Sequence, residues 1–424
     1  MKAYSEYKPS GIDWFGEIPS HWDVISGKWT VNFTYGFPAD SKLFSIEKKG
    51  LPLIRIRDIY STDTEVYYEG NDYPAESIIK NGDLLIGMDG DFNVARWNGA
   101  KAILNQQVCK FEDSNVLSKS YMFYILPLIL NKINATKYAT TVKHLSATDL
   151  SEMKLMVPPI EEQEVIAAYL DDVTGKVDAL IAEKQTQVED LRKYRTSLIT
   201  ETVTRGLNPT TPIRQTNSEW YPNIPYNWNV DKFKYQASVK ANLVHPEDYT
   251  KHPQISPDSI EKNTGRLLGY RNVEESGIIS DNHLFFKGQI IYSKIRPNLN
   301  KVIIAPFDGL CSADMYPIET SNNVRYFQYL MLSNPFVSQV SVVIQDRVKM
   351  PKINQVELGE MFIVVPPISE QQEIADYLDK KTTKIDSLVE ELEAQLTDLA
   401  TYKQAVITEA VTGKVDVRDW TPKS

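Results

Sequence analysis

Two segments of this chain of 424 residues repeat one phrase. "PPIEEQEVIAAYLD" begins at Pro158, and "PPISEQQEIADYLD" begins at Pro366. A shift of 208 positions aligns residues 157–204 with 365–412 without a gap, and about half of the positions are identical. A second echo opens each half: "DWFGEIPSHWDV" at 13–24 parallels "EWYPNIPYNWNV" at 219–230, with Trp14/Trp220, Pro19/Pro225 and Trp22/Trp228 coinciding. A solenoid needs three or more short repeats, whereas two long halves indicate a duplication with pseudo-two-fold symmetry. Each half is then an opening motif, a variable middle and an acidic tail segment. The middles differ strongly, which implies two jobs of one kind.

The repeated segment reads as helix. Its leading prolines end whatever precedes them, because proline lacks an amide donor. Glu161, Glu162 and Glu164 follow in a first turn, where the helix dipole favours anions. Apolar positions then recur in steps of four and three: Ile166, Leu170, Val173, Val177, Leu180, and further on Leu191, Tyr194 and Leu198. The second copy offers Ile374, Leu378, Ile385, Leu388, Leu392, Leu399, Tyr402 and Val406. The mean step of 3.5 is the coiled-coil period. It predicts that the two copies clasp as an antiparallel pair, with Gln187 and Gln395 as matched polar seam positions that fix register. Gly175 is expected to break the first copy, leaving a short helix and then one of about thirty residues, roughly 45 Å long.

Both middles read as short strands among helices and turns. In the first these are 51–59, 81–90 and "AILNQQVCKFE"; in the second, "KGQIIYSKIRPNLNKVIIAPF" and "LCSADMYPIE". Cations are interleaved with these elements. Arg55, Arg57, Arg96, Lys143 and His144 lie in the first middle; Lys294, Arg296, Lys301, Arg347, Lys349 and Lys352 lie in the second. Such side chains can grip guanine edges or hold phosphates, and Asn93, Asn298 and Asn300 can pair with adenine. Taken singly, each cation is as well explained by a surface ion pair.

The net charge of −10 speaks against a nucleic-acid binder until its distribution is considered. Residues 157–207 carry −4 and 365–424 carry −5, so the variable middles are close to neutral and have room for a basic face. The acidic helical segments would repel phosphate and suit a protein partner instead. Cys109 and Cys311, with no CxxC pattern, argue for a reducing cytosol. The most apolar run, "YMFYILPLIL" at 121–130, is far short of the ~20 residues that span a bilayer and reads as a buried helix or strand. No GxxxxGK phosphate loop, HExxH or methyltransferase signature is present. The chain reads as a recogniser that carries no catalytic residues and no metal site.

The duplicated "PPIEEQ"/"PPISEQ" segments, the two "IP…HW" and "IP…NW" openings and "YSKIRPNLNKV" together resemble the specificity subunit of type I restriction–modification enzymes, over essentially the whole chain. The resemblance implies an α+β protein. Target recognition domains at 1–157 and 208–365 would each read one half of a bipartite, asymmetric site in double-stranded DNA. Helical spacers at 158–207 and 366–416 would lie antiparallel between them, followed by a tail at 417–424. It also implies two modification subunits docked on the helices, which bring S-adenosylmethionine and methylate adenine, and restriction subunits able to join with ATP and Mg. The location implied is cytoplasmic, and the chain itself would hold no cofactor. The competing expectation is an adaptor or decoy that captures modification subunits through its acidic helices without reading DNA.

Overall fold

The computed structural model describes residues 2–30, 32–137 and 143–422. It divides into two compact units, Met1–Glu183 with Gln395–Ser424, and Lys184–Ala394.

In the first unit β1 (Asp23–Ser26) leads into a four-stranded sheet built from β2 (Asn32–Tyr35), β3 (Leu84–Gly87), β4 (Val94–Arg96) and β5 (Val108–Glu112), in the order β4-β3-β5-β2. A five-stranded sheet lies beside it in sequence and contains one parallel pair, Ile103 opposite Leu53. The stretch 51–59, expected as one strand, stops at Ile54. There Asp58 Oδ2 accepts from the Arg55 backbone N–H at 3.1 Å and from Arg55 Nε at 2.7 Å, turning the chain. The apolar run at 121–130 is helical, within α1 (Lys119–Lys137). It buries Tyr121, Met122, Ile125, Leu126, Ile129 and Leu130, neighbours on one face at helical spacing. Then β6 (Lys154–Val157) pairs with β1, setting Met156 opposite Val24. Pro158 and Pro159 end it, and α2 (Ile160–Arg205) begins, the Gln163 N–H donating to Pro159 O at 3.0 Å.

The second unit repeats this order. A strand β7 (Asn229–Lys232) precedes a four-stranded sheet of β8 (Ala237–Val239), β9 (Ile290–Ser293), β10 (Val302–Ile304) and β11 (Met315–Thr320), in the order β8-β11-β9-β10. A five-stranded sheet again carries one parallel pair, Gln254 opposite Leu310. Helix α3 (Val324–Leu332) follows, and β12 (Phe362–Val365) returns to β7 with Val364 opposite Val230. After two prolines α4 (Ile368–Val411) begins.

Each unit is completed by both long helices. In the first, Ile166 and Leu170 of α2 share a core with Val406, Ala410 and Val411 of α4. In the second, Ile199 and Val203 of α2 share a core with Ile374, Ala375 and Leu378 of α4. The helices run antiparallel: within the second unit Arg192 pairs with Glu393 at 2.6 Å while Arg195 pairs with Asp386 at 2.8 Å. Gly175 does not break α2, which is continuous over 46 residues, roughly 70 Å at the standard rise. A mid-helix glycine costs about 1 kcal/mol relative to alanine, too little to interrupt a helix held by an apolar face on both sides.

The buried line on the helices departs in part from the expected seam. Leu170, Val177, Leu378 and Ile385 are buried, and Leu191, Gln395 and Leu399 are half-buried. Leu180 (45% exposed), Tyr194 (57%), Leu388 (42%) and Tyr402 (52%) face outward, and Gln187 is exposed. The inward positions are instead Ile181, Val188 and Arg195 on α2, and Val389, Leu396 and Lys403 on α4. The pattern is degenerate there: Leu180–Ile181 and Leu388–Val389 are adjacent apolar pairs, so a step of three or of four fits equally well, and the partner surface decides.

Candidate nucleic-acid interface

The same hydrogen-bond frame recurs in both units where the loop after the central sheet strand emerges. In the first, the Gly87 N–H donates to Asn93 O (2.8 Å), the Gly90 N–H to Lys143 O (3.0 Å) and the Leu145 N–H to Met88 O (2.7 Å). In the second, the Ser293 N–H donates to Lys301 O (2.9 Å), the Arg296 N–H to Pro351 O (2.7 Å) and the Ile353 N–H to Lys294 O (3.0 Å). Isolated bridges complete both, Asp89 to His144 and Ile295 to Lys352. Some of the candidate cations scattered along the sequence are therefore gathered. Lys143 and His144 border the loop 88–93, and Lys352 borders the loop 294–301, which carries Lys294, Arg296 and Lys301.

The two loops differ in charge. "MDGDFN" at 88–93 carries Asp89 and the exposed Asp91, whereas "KIRPNLNK" at 294–301 carries three cations. In the first frame Asp89 accepts from Gln107 Nε2 at 2.7 Å and pairs with His144 Nδ1 at 2.6 Å. In the second, Lys352 Nζ reaches Asp314 at 2.7 Å, and Lys294 lies 4.9 Å over the Tyr316 ring. Burial holds the His283 imidazole below its usual pKa, and the Lys294 charge pushes the same way. Burial raises the Cys311 thiol, with Lys294 opposing. Beside this frame lies a cavity of about 840 Å³ with Gln254, Asn282, Ser312 and Asp314 in its wall.

The remaining candidates are engaged elsewhere or stand alone, and Lys301 of the second loop is tied down as well. Arg55 is tied to Asp58 in its turn, and Arg57 is exposed two residues on. Arg96 meets Asp171 of α2 at 2.6 Å and stacks 4.3 Å from the Phe123 ring, a contact within the unit that joins sheet to helix. Lys301 donates to Pro257 O at 2.7 Å, and Arg347 pairs with Glu357 through both oxygens. Lys349 is exposed; of the adenine candidates, Asn93 and Asn298 are exposed and Asn300 is buried.

The residues of the repeated phrase form ties that sequence reading did not assign. Glu162 is buried and accepts from Trp22 Nε1 (3.0 Å) and Tyr4 Oη (2.6 Å), and lies 2.7 Å from His21 Nε2. Glu370 accepts from Trp228 Nε1 at 2.9 Å. Gln163 Nε2 donates back to Pro158 O (2.8 Å) and its Oε1 accepts from the Ser118 N–H (3.0 Å); Gln371 repeats this with Pro366 O (2.9 Å) and the Asn323 N–H (2.8 Å). Tyr121 Oη donates to Met156 O at 3.0 Å and Tyr326 Oη to Val364 O at 3.0 Å. Arg195–Asp386 in one unit corresponds to Lys403–Asp178 (2.6 Å) in the other. The available signal was the joint repetition: a tryptophan in each opening motif and a glutamate in each "EQ".

Duplicated sheet units, each closed by both long helices and each presenting a framed loop of its own charge, define a two-module recognition protein. Among the described residues no group of three or more His, Cys, Asp or Glu is placed to hold a metal ion, and no helix is long and apolar enough to cross a membrane. The chain belongs to the type I restriction modification DNA specificity domain family, whose pattern matches residues 38–190 and 232–398. It is 29% identical over 347 residues to the Escherichia coli type I restriction enzyme EcoDI specificity subunit, covering 78% of each chain. Identity to the Escherichia coli EcoBI specificity subunit is 26% over 421 residues, 94% of this chain and 87% of the relative. The fold matches a chain from a solved structure on complex assembly and conformational transition of the type I R-M system, at a TM-score of 0.69 and 14% identity, over 94% of this chain and 99% of that one.

Proposed function

We propose that the chain is the DNA-specificity subunit of a type I restriction–modification complex. The carrying observation is that the specificity-domain pattern matches twice, once in each variable half, and that each half holds its loop in the same backbone frame with different side chains. One half reads one part of a bipartite, asymmetric target and the other half reads the rest. The opposed loop charges favour unlike half-sites, since a carboxylate accepts from cytosine N4 while an arginine donates to guanine O6 and N7. Two matches to DNA-specificity domains favour reading over mere capture of partner subunits.

The chain is non-catalytic in this reading. Modification subunits dock on the acidic outer faces of α2 and α4 and bring S-adenosylmethionine; the adenine they methylate must leave the base stack. Restriction subunits, where they join, bring ATP and Mg. The continuous helices set the number of base pairs left unread between the half-sites.

Exchanging residues 30–145 for those of a relative, in the complex with modification subunits, is the test. Methylation mapping is expected to show one half-site changed and the other retained. A change in both, or in neither, would defeat the proposal.

A further inference from the structure

The loops 88–93 and 294–301 leave their sheets through matched hydrogen bonds, and both pass through left-handed backbone. In the first unit Gly90, at φ +74° with open space where a Cβ would lie, and Phe92, at φ +51°, adopt it. In the second, the position matching Gly90 is Arg296, at φ +44°, and Asn300 follows at φ +46°. Left-handed backbone is cheap for glycine and disfavoured for a long side chain. A following proline disfavours it again, because a pre-proline residue is pushed toward extended backbone, and residue 297 is proline. Arg296 carries both penalties. Three ties hold it there: its N–H to Pro351 O at 2.7 Å, its carbonyl accepting from the Leu299 N–H at 2.9 Å, and the bridge between Ile295 and Lys352.

Arg296 is exposed, and among the described residues it has no carboxylate partner. Its neighbours differ: Lys352 is paired with Asp314, Arg347 with Glu357, and Lys301 donates to Pro257 O. Strain that the fold maintains without an internal benefit is characteristic of functional positions. The guanidinium is a rigid planar fork that matches the O6/N7 edge of guanine, a geometry that lysine lacks.

We propose that Arg296 is the specificity-determining residue of the second unit, its guanidinium reading one guanine in the half-site which that unit contacts. The assignment rests on the specificity-subunit reading above and deepens it. Gly90, without a side chain, makes no such contact, so the first half-site is read by other groups on its acidic loop.

The experiment uses the full chain in complex with its modification subunits and scores methylation across DNA in which each position of the target is varied. Arg296→Gly removes the guanidinium and suits the backbone; Arg296→Lys keeps the charge without the fork. Both are expected to lose roughly 5- to 150-fold of discrimination at one G·C pair, with every other position unchanged. Arg296→Gly is also expected to melt no lower than the parent. Full discrimination retained by both variants would overturn the assignment alone. Uniformly weaker binding with a shallower salt dependence would overturn it as well, by making Arg296 a phosphate clamp. A parent complex without sequence preference would overturn the specificity-subunit reading and this assignment with it.

Discussion

Trp22 donates its indole hydrogen to Glu162 across 140 residues of sequence, at 3.0 Å and out of contact with solvent. The bond joins the opening motif to the first turn of α2. Because Tyr4 and the exposed His21 also engage this carboxylate, Glu162→Ala leaves two buried donors, Trp22 Nε1 and Tyr4 Oη, unpartnered at once. A loss of about 2–4 kcal/mol is expected in the first unit. Glu370→Ala removes the partner of Trp228 from a more exposed site and is expected to cost about 1–2 kcal/mol. Hydrogen exchange resolves the units separately: amides of β1 and β6 should lose protection in the first variant, those of β7 and β12 in the second.

Much of this was legible in the sequence. The doubling, the prolines that stop β6 and β12, the long helices and the gap-free 208-residue shift all derive from local pattern. Two things were not. Adjacent apolar pairs such as Leu180–Ile181 let the seam be drawn one residue off, and only the surface packed against the helix selects Ile181. The cations were visible, but their pairing was not, because Arg96–Asp171 and Arg347–Glu357 depend on tertiary contacts rather than spacing. The left-handed backbone of Arg296 has no sequence signature: "IRPN" reads as a turn whichever residue bears the strain.

Arg195 and Lys403 hold equivalent places, and their difference predicts an asymmetry. Arg195 uses its whole fork, meeting both oxygens of Asp386 and the carbonyls of Asn263 and Thr264. Lysine reaches the carboxylate but not the two carbonyls together. Arg195→Lys is therefore expected to destabilise the second unit by about 1–2 kcal/mol. Lys403→Arg, at a pair more open to solvent, should change stability by less than about 0.5 kcal/mol. Urea denaturation monitored by unit-specific hydrogen exchange would show the contrast, and equal effects would contradict the satisfied-fork account.

Gly175 lies within the continuous α2 with nothing inside 4 Å of an added Cβ. Gly175→Ala is expected to stabilise the chain by about 0.5–1 kcal/mol, by restricting the unfolded state and improving helix propensity. Were the helix interrupted there, alanine would gain little or would strain the break. A thermal melt that stays unchanged or falls would argue against continuity.

His283 gives the second unit a dependence on pH. Burial and the Lys294 charge hold its pKa below the ordinary 6.5, so the folded chain binds this proton more weakly than the unfolded chain does. Stability tied to a depressed histidine is complete above the unfolded value and is lost as pH falls through about 6.5. Protection of the strand at Asn282–Phe285 is therefore expected to decline as pH falls below about 6.5. His283→Gln, which cannot take up the proton, should flatten that decline while leaving β1 and β6 of the first unit as they were. Protection that rose on acidification, or fell equally in the glutamine variant, would remove His283 as the cause.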